Sequence, residues 1–263
     1  MKVVATTPLQ QFVLGVRFEL EKHLRRQRLL WALLLATVIP ALFYVVPRAL
    51  GSDLPADAEV AAANIVGFSI LLIITSAAFF AGDALSGELD KRTYLTLYLL
   101  PQRRSTVVAS KFVAALLATW MVVAIFYGIV TLEGIAGYGI DHLPAGAGTS
   151  LLLAMLFGAS CVGLAFVFSS FTSSSVISSL LTFFSLLLII PILSFVALAA
   201  KNEPTWALTY YEDLITTVLG ATPSFGGPGL FTPEFGMGVR VWSLYAIVGL
   251  LLSRLIIVWR HAE

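Results

Sequence analysis

Side chains able to do chemistry are sparse in this chain of 263 residues, and the densest run of them lies between Gly82 and Lys111. Glu88, Asp90, Lys91, Arg92, Thr93, Tyr94, Leu97, Tyr98, Arg103 and Arg104 all fall inside it. A charged stretch, Glu88 to Arg92, leads into an apolar helix, Thr93 to Leu100, that Pro101 must end or kink. Linker chemistry has no need of Tyr94, Leu95, Leu97, Tyr98, Leu99 and Leu100 in water, so the pattern points to gripping a partner and not to making bonds. The charges alone are described equally well as a solvated helix end, with Glu88 and Arg92 an exposed i,i+4 pair of small energetic value.

Catalytic constellations are absent from the sequence. No H-E-x-x-H or G-x-S-x-G run occurs, His23, His142 and His261 are far apart, and Asp83 and Glu133 are expected on opposite membrane faces, which disfavours a membrane-embedded hydrolase. The single cysteine, Cys161, sits in an apolar run; it rules out an internal disulfide and a thiolate metal site and reads as a small core residue. No G-x-x-x-x-G-K-[ST] loop is present to cradle a nucleotide phosphate, so no catalytic, cofactor-binding or metal-binding residues are expected. A net charge of +1 argues against nucleic acid as a partner, since phosphate-backbone affinity needs a clustered basic excess.

The elements that must position the Gly82 to Lys111 segment are membrane spans. Apolar residues make up 59% of the chain and charged ones 12%, with a mean hydropathy of +0.93; soluble domains average roughly 45–50% and roughly 25%. Six stretches meet the length of a transmembrane helix: Leu29 to Val46, Val60 to Ala81, Phe112 to Leu132, Leu151 to Phe168, Val176 to Ala200 and Val239 to Trp259. They are continuous and not alternating, so they are helices and not barrel strands. The chain thus divides into residues 1–28, an N-terminal extension expected to be retained because it lacks the pattern of a signal peptide, and residues 29–263, a six-helix transmembrane domain.

Basic residues resist translocation, and they are unevenly placed. Lys2, Arg17, Lys22, Arg25, Arg26 and Arg28 precede the first span, Lys91, Arg92, Arg103, Arg104 and Lys111 lie between the second and third, and Arg260 follows the sixth. The loops on the other side carry acids, among them Asp53, Asp57, Glu59, Glu133, Asp141, Glu203, Glu212, Asp213 and Glu234. Both termini are therefore expected on the cytoplasmic side of the plasma membrane. Phe12, Val13, Val16, Leu20 and Leu24 recur at helical spacing while Arg17, Glu21, Lys22 and Arg25 fall elsewhere, which predicts a membrane-surface helix before the first span, with Glu21 and Arg25 as an i,i+4 pair. A plain extension of the first span is the alternative.

Pro40 and Pro191 are expected to kink spans one and five. The hydroxyl-rich run Ser169 to Ser175 reads as a tight turn whose side chains cap the helices on either side. One or two short helices are expected in the long loop from Lys201 to Gly238. No charge lies mid-span, and the polar side chains there, Asn64, Ser69, Thr75 and Ser76 with Thr119 and Tyr127, are expected first as interhelical hydrogen-bonding groups and second as a substrate path. Such an apolar path suits an amphipathic, lipid-like or drug-like compound. A stand-alone secondary transporter or a structural membrane subunit is the rival reading, and the lack of mid-span charge disfavours ion coupling.

The order Glu88, Lys91, Thr93, a leucine-rich helix, Leu99 to Pro101, and Ser110-Lys111 at the start of the third span resembles the loop between the second and third spans of ABC-2 transporter permeases. Arg92 stands where that family commonly has Gly, and Gln102-Arg103 where it has a small residue before Arg. The resemblance implies an all-α, ABC-2 (type V exporter-like) fold, with an interfacial helix, six spans and a coupling helix. It also implies a second permease copy, as homo- or heterodimer, and a separate ABC ATPase subunit that binds ATP and Mg and drives export by gripping the coupling helix.

Overall fold

The computed structural model describes residues 7–52, 55–90, 104–221 and 231–260. All of the regular structure there is helical. Helix α1 (Pro8–Arg25) begins with a reciprocal cap in which Thr7 and Gln10 satisfy each other's backbone amides, and Pro8 occupies the first turn, where no amide partner is needed. Gln27, at φ 59°, adopts the left-handed conformation that turns the chain from α1 into α2 (Arg28–Ala49). Helices α3 (Ala58–Phe80), the short α4 (Ser86–Asp90), α5 (Arg104–Tyr138) and α6 (Ala147–Phe171) follow. Then come α7 (Ser175–Phe184), a π turn (Ser185–Ile189), α8 (Ile190–Ala199), the one-turn α9 (Leu214–Thr217) and α10 (Phe235–Arg260).

Six of these stretches are long and apolar enough to cross a membrane, with α7, the π turn and α8 together forming the fifth. Their number agrees with the sequence pattern, but the third is longer at both ends than the run Phe112 to Leu132. It extends over Ser105–Tyr138 and brings Lys111 and Glu133 into the helix. Lipid contributes no backbone partners, so helices continue until water or a cap can take over.

Helix α6 is the hub. Leu153, Ala154, Phe157, Cys161, Val162, Ala165 and Phe166 are buried in it, against α3, α5 and α10. Cys161 is a buried free thiol, as expected of a small core residue. Small residues permit the closest approaches, which matters where lipid is as apolar as the core and packing must supply the association energy. A Cβ on Gly249 of α10 would collide with the backbone of Gly163 on α6, so these two helices cross with their main chains in contact. Helix α5 presents Ala114, Ala115 and Ala118 inward for the same reason. By contrast, α2 leaves Leu30, Trp31, Leu34, Leu42 and Val45 exposed, as a lipid-facing helix does.

The two prolines behave differently. Pro40 lies buried inside α2, continuous from Arg28 to Ala49. Pro191 sits in the first turn of α8, and the wide turn immediately before it, Ser185–Ile189, gives its ring room against the preceding carbonyls.

Candidate coupling site at the basic end

One end of the bundle gathers α1, the Asp83 to Asp90 stretch, the start of α5 and the turn after α6; it is the basic end of the sequence pattern. Of the predicted partner-contact residues, Lys91, Arg92, Thr93, Tyr94, Leu97, Tyr98 and Arg103 lie outside the described residues, as does the expected coupling helix. Glu88 and Asp90 are in α4, and Arg104 opens α5.

Lys111 organises this end. Its ammonium forms ion pairs with Glu19 of α1 and Glu88 of α4, and its side chain is 2% exposed. Lys22 closes the same cluster, pairing with Glu19 at 2.9 Å. Burial alone would raise the Glu19 carboxyl, but Lys111 and then Lys22 outweigh it and hold the group below the usual carboxylate value. Lys22 is itself lowered, first by burial and then by the neighbouring Lys111. Two acids around a buried lysine are what makes burying it tolerable: a lone ammonium there would cost several kcal/mol.

A second ion cluster joins α1, α2 and the end of α3. Asp83, 8% exposed, accepts from Arg28 at 2.6 Å and from Arg26 at 3.4 Å, and Arg28 also reaches the Phe79 carbonyl at 3.0 Å. Between the clusters His23 is buried and packs edge-on against Phe80 at 5.1 Å between ring centroids. Burial pushes its imidazole down to about 4.

Hydroxyls stitch α4 to the α6–α7 turn. The backbone amides of Leu85 and Ser86 both donate to Ser169 Oγ at 3.0 Å, and Ser175 donates through its hydroxyl to Asp90 at 3.0 Å. The expectation that this serine-rich turn caps both flanking helices holds at the end of α6, where Thr172 donates to the Phe168 carbonyl at 2.8 Å and Ser170 to the Val167 carbonyl at 2.7 Å, and is corrected at the start of α7. Ser174 makes no side-chain cap for α7, and Ser169 is spent on the start of α4, because that short helix packs on α6 and its buried amides need an acceptor.

The surface-helix residues also depart from their simple reading. Glu21 accepts from Arg17 at 3.0 Å, where the spacing had favoured Arg25. Phe12, Val16 and Leu20 are half-buried, Leu24 and Arg25 exposed, and the most exposed apolar side chains are Leu9, Phe18, Val13 and Leu14. The face turned to the bundle is Gly15, Glu19 and His23, with Gly15 lying so close to Ser110 that a Cβ would collide with it. Burial of polar side chains inward leaves the apolar stripe outward.

The residues of the expected substrate path fall into two sets. Thr75 and Thr119 donate to the carbonyls of Leu71 and Ala115 in their own helices. Tyr127 bonds Ser150 at 2.8 Å, and Ser69 is buried beside that pair. Asn64 and Tyr127 line one cavity between α2, α3 and α5 at the far, acidic end. Lys111, singled out in the sequence only as part of the motif at the start of the third span, and Glu133, expected in an outer loop, have contacts that the sequence did not display.

A family model described as ABC-2 family transporter protein matches residues 16–189. A search of curated proteins gives no match. The matched stretch takes in most of α1, the first four spans, both ion clusters and most of the fifth span. The chain belongs to the ABC-2 transporter family, and it is a multi-pass membrane protein of the permease type. Permeases of this family are transport subunits that generally work with an ATPase subunit.

Proposed function

We propose that this chain is the permease half of an ATP-driven exporter of an amphipathic, lipid-like or drug-like compound. It sits in the plasma membrane with both termini cytoplasmic, pairs with a second permease copy, and binds a separate ABC ATPase that holds ATP and Mg. The observation that carries the reading is Lys111, which ties α1 and α4 to α5 beside the point where the leucine-rich segment leaves. Residues Lys91 to Arg103, flanked by Glu88, Asp90 and Arg104, form the contact with the ATPase. Motion of that contact enters the bundle through α4, whose Glu88 is joined to Lys111, and α5 carries it along 35 residues, roughly 52 Å at 1.5 Å per residue. Phe12, Val16, Arg17, Leu20, Lys22, Leu24 and Arg25 belong to the helix that rests at the membrane surface, and the exposed Leu9, Val13, Leu14 and Phe18 support that placement. Asn64, Ser69, Thr75, Thr119 and Tyr127 contribute polar points to an otherwise apolar route.

Co-expression with an ABC ATPase subunit tests this reading. The ATPase is expected to stay attached in detergent, and Tyr94→Ala with Tyr98→Ala is expected to release it while the permease remains folded. A chain that purifies alone, with transport indifferent to ATP, overturns the proposal.

A further inference from the structure

At the acidic end, α2, α3 and α5 enclose a cavity of about 190 Å³ whose walls are mostly apolar, including Phe43, Pro47, Ala62, Val130 and Leu219. Glu133 of α5 lines it, and the Oε2 atom of that carboxyl is buried with no hydrogen-bond partner among the described residues. Asn64 also lines the wall, and several of the other polar groups there are already engaged. Tyr127 bonds Ser150 at 2.8 Å, Thr131 donates to the Tyr127 carbonyl at 2.8 Å, and Tyr138 donates to the Pro55 carbonyl at 2.7 Å. Arg48, the nearby cation, offsets part of the Glu133 charge from a distance, while its guanidinium lies over the Tyr44 ring at 3.6 Å and donates to the Tyr44 carbonyl at 3.5 Å. An acceptor left open in an apolar chamber is costly unless a donor arrives, and an ionisable group within a span marks a site by default.

We propose that this cavity binds a small lipophilic amine, with the ammonium donating to Glu133 and the apolar body filling the space between α2, α3 and α5. A dry cavity of roughly 150 Å³ accepts benzene, so this one takes a single aromatic ring on a short alkyl arm. The complementary charge commits the occupant: a neutral hydrocarbon leaves Oε2 open, and an anion is repelled by it. The site lies within one chain and needs neither an ATPase nor a second copy, so its test is separate from that of the proposed transport function.

The test uses the full chain in phosphatidylcholine nanodiscs at pH 7, titrated with para-fluorophenethylamine and followed by fluorine NMR. Saturable binding is expected, with ethylbenzene and phenylpropionate at least about 10-fold weaker as competitors than unlabelled phenethylamine, the factor associated with one charge-assisted hydrogen bond. Glu133→Gln is expected to weaken binding by a similar factor, and Ala62→Phe, which fills the chamber, to remove it. Linear partitioning without saturation, equal competition by ethylbenzene, or unchanged binding in folded Glu133→Gln overturns the proposal; the ligand series on the unsubstituted chain decides even if a variant does not fold. Discs containing phosphatidylethanolamine separate the natural sources. Weaker apparent amine binding there assigns an aminophospholipid headgroup to the site, and unchanged binding assigns a soluble amine, both on the same Glu133 contact.

Discussion

The two ends of this bundle are held by different chemistry. At the basic end, α1, α4 and α5 meet through Lys111, Glu19, Glu88 and Lys22, and α1 and α2 meet α3 through Arg26, Arg28 and Asp83. At the acidic end, neutral hydrogen bonds join the helices and the loop among the described residues. Ser150 links Tyr127 to the Ile215 carbonyl at 2.6 Å, Trp242 donates to the Leu208 carbonyl at 2.9 Å, and Tyr245 donates to the Trp206 carbonyl at 3.0 Å. Charge networks are directional and fail abruptly when one member is lost, whereas single neutral hydrogen bonds fail in small steps. Under the proposed function, the stiff, all-or-none joint is at the end that a motor would push, and the forgiving one at the end from which a substrate would leave.

The strongest way to break this contrast is Lys111→Met. It leaves Glu19 and Glu88 facing one another with Lys22 as the remaining cation of the cluster, and a loss of about 3–5 kcal/mol is expected. Thermal unfolding in detergent, with limited proteolysis at the junction of α1 and α2, measures it; a melting temperature equal to that of the parent chain refutes the role given to the network.

Acidification is the next largest probe. His23 takes up its proton near pH 4 when α1 is docked and near the ordinary 6.5 when it is not, so the undocked helix binds the proton first. Stability from this site is full above about pH 6.5 and falls as pH drops toward 4, by about 2 kcal/mol at pH 5. Glu19, held below its usual value by Lys111 and Lys22 against the effect of burial, loses its contribution in the same direction at lower pH. Hydrogen exchange in α1 is expected to quicken between pH 7 and pH 5, and in His23→Gln the part due to the imidazole is expected to vanish. Amides of α9 at the neutral end are expected to hold steady after correction for intrinsic exchange.

Ser150→Ala sharpens the other side. Removing one hydroxyl that links Tyr127 to the Ile215 carbonyl is expected to cost about 1–2 kcal/mol in thermal unfolding. Loss on the scale of Lys111→Met would erase the distinction between the ends. The smallest effect belongs to Gln27→Gly at the left-handed junction of α1 and α2. Relief of the backbone conformation and added freedom of the unfolded chain oppose each other, and a net change of less than about 1 kcal/mol is expected in the same assay.

Much of the fold was legible because lipid leaves few options: an apolar run of span length must be a helix, and each of the six such runs is one. The boundaries were less so. Lys111 and Glu133 look like loop markers in the sequence, yet α5 carries both, because Lys111 finds acids on other elements and Glu133 faces a cavity. The ion cluster at the basic end was legible in composition but not in pairing. Lys111 and Glu19 are 92 positions apart, so no local spacing announces their contact, and i,i+4 rules favoured Glu21 with Arg25 when Arg17 was the partner. The hydroxyl run Ser169 to Ser175 was legible as capping chemistry, and Thr172 and Ser170 do cap α6, but nothing local announced that Ser169 would serve the amides at the start of α4.

The contact of main chains at Gly163 and Gly249 constrains how such a molecule can rearrange. Helices that slide past each other do so on a layer of side chains that swap rotamers, and at this crossing there is no such layer. Helices α6 and α10 therefore travel as one plank. Any rearrangement of the bundle has to be taken up elsewhere, and the wide turn at Ser185–Ile189 with Pro191 behind it, where the helical ladder leaves its regular register, is the seam best suited to yield.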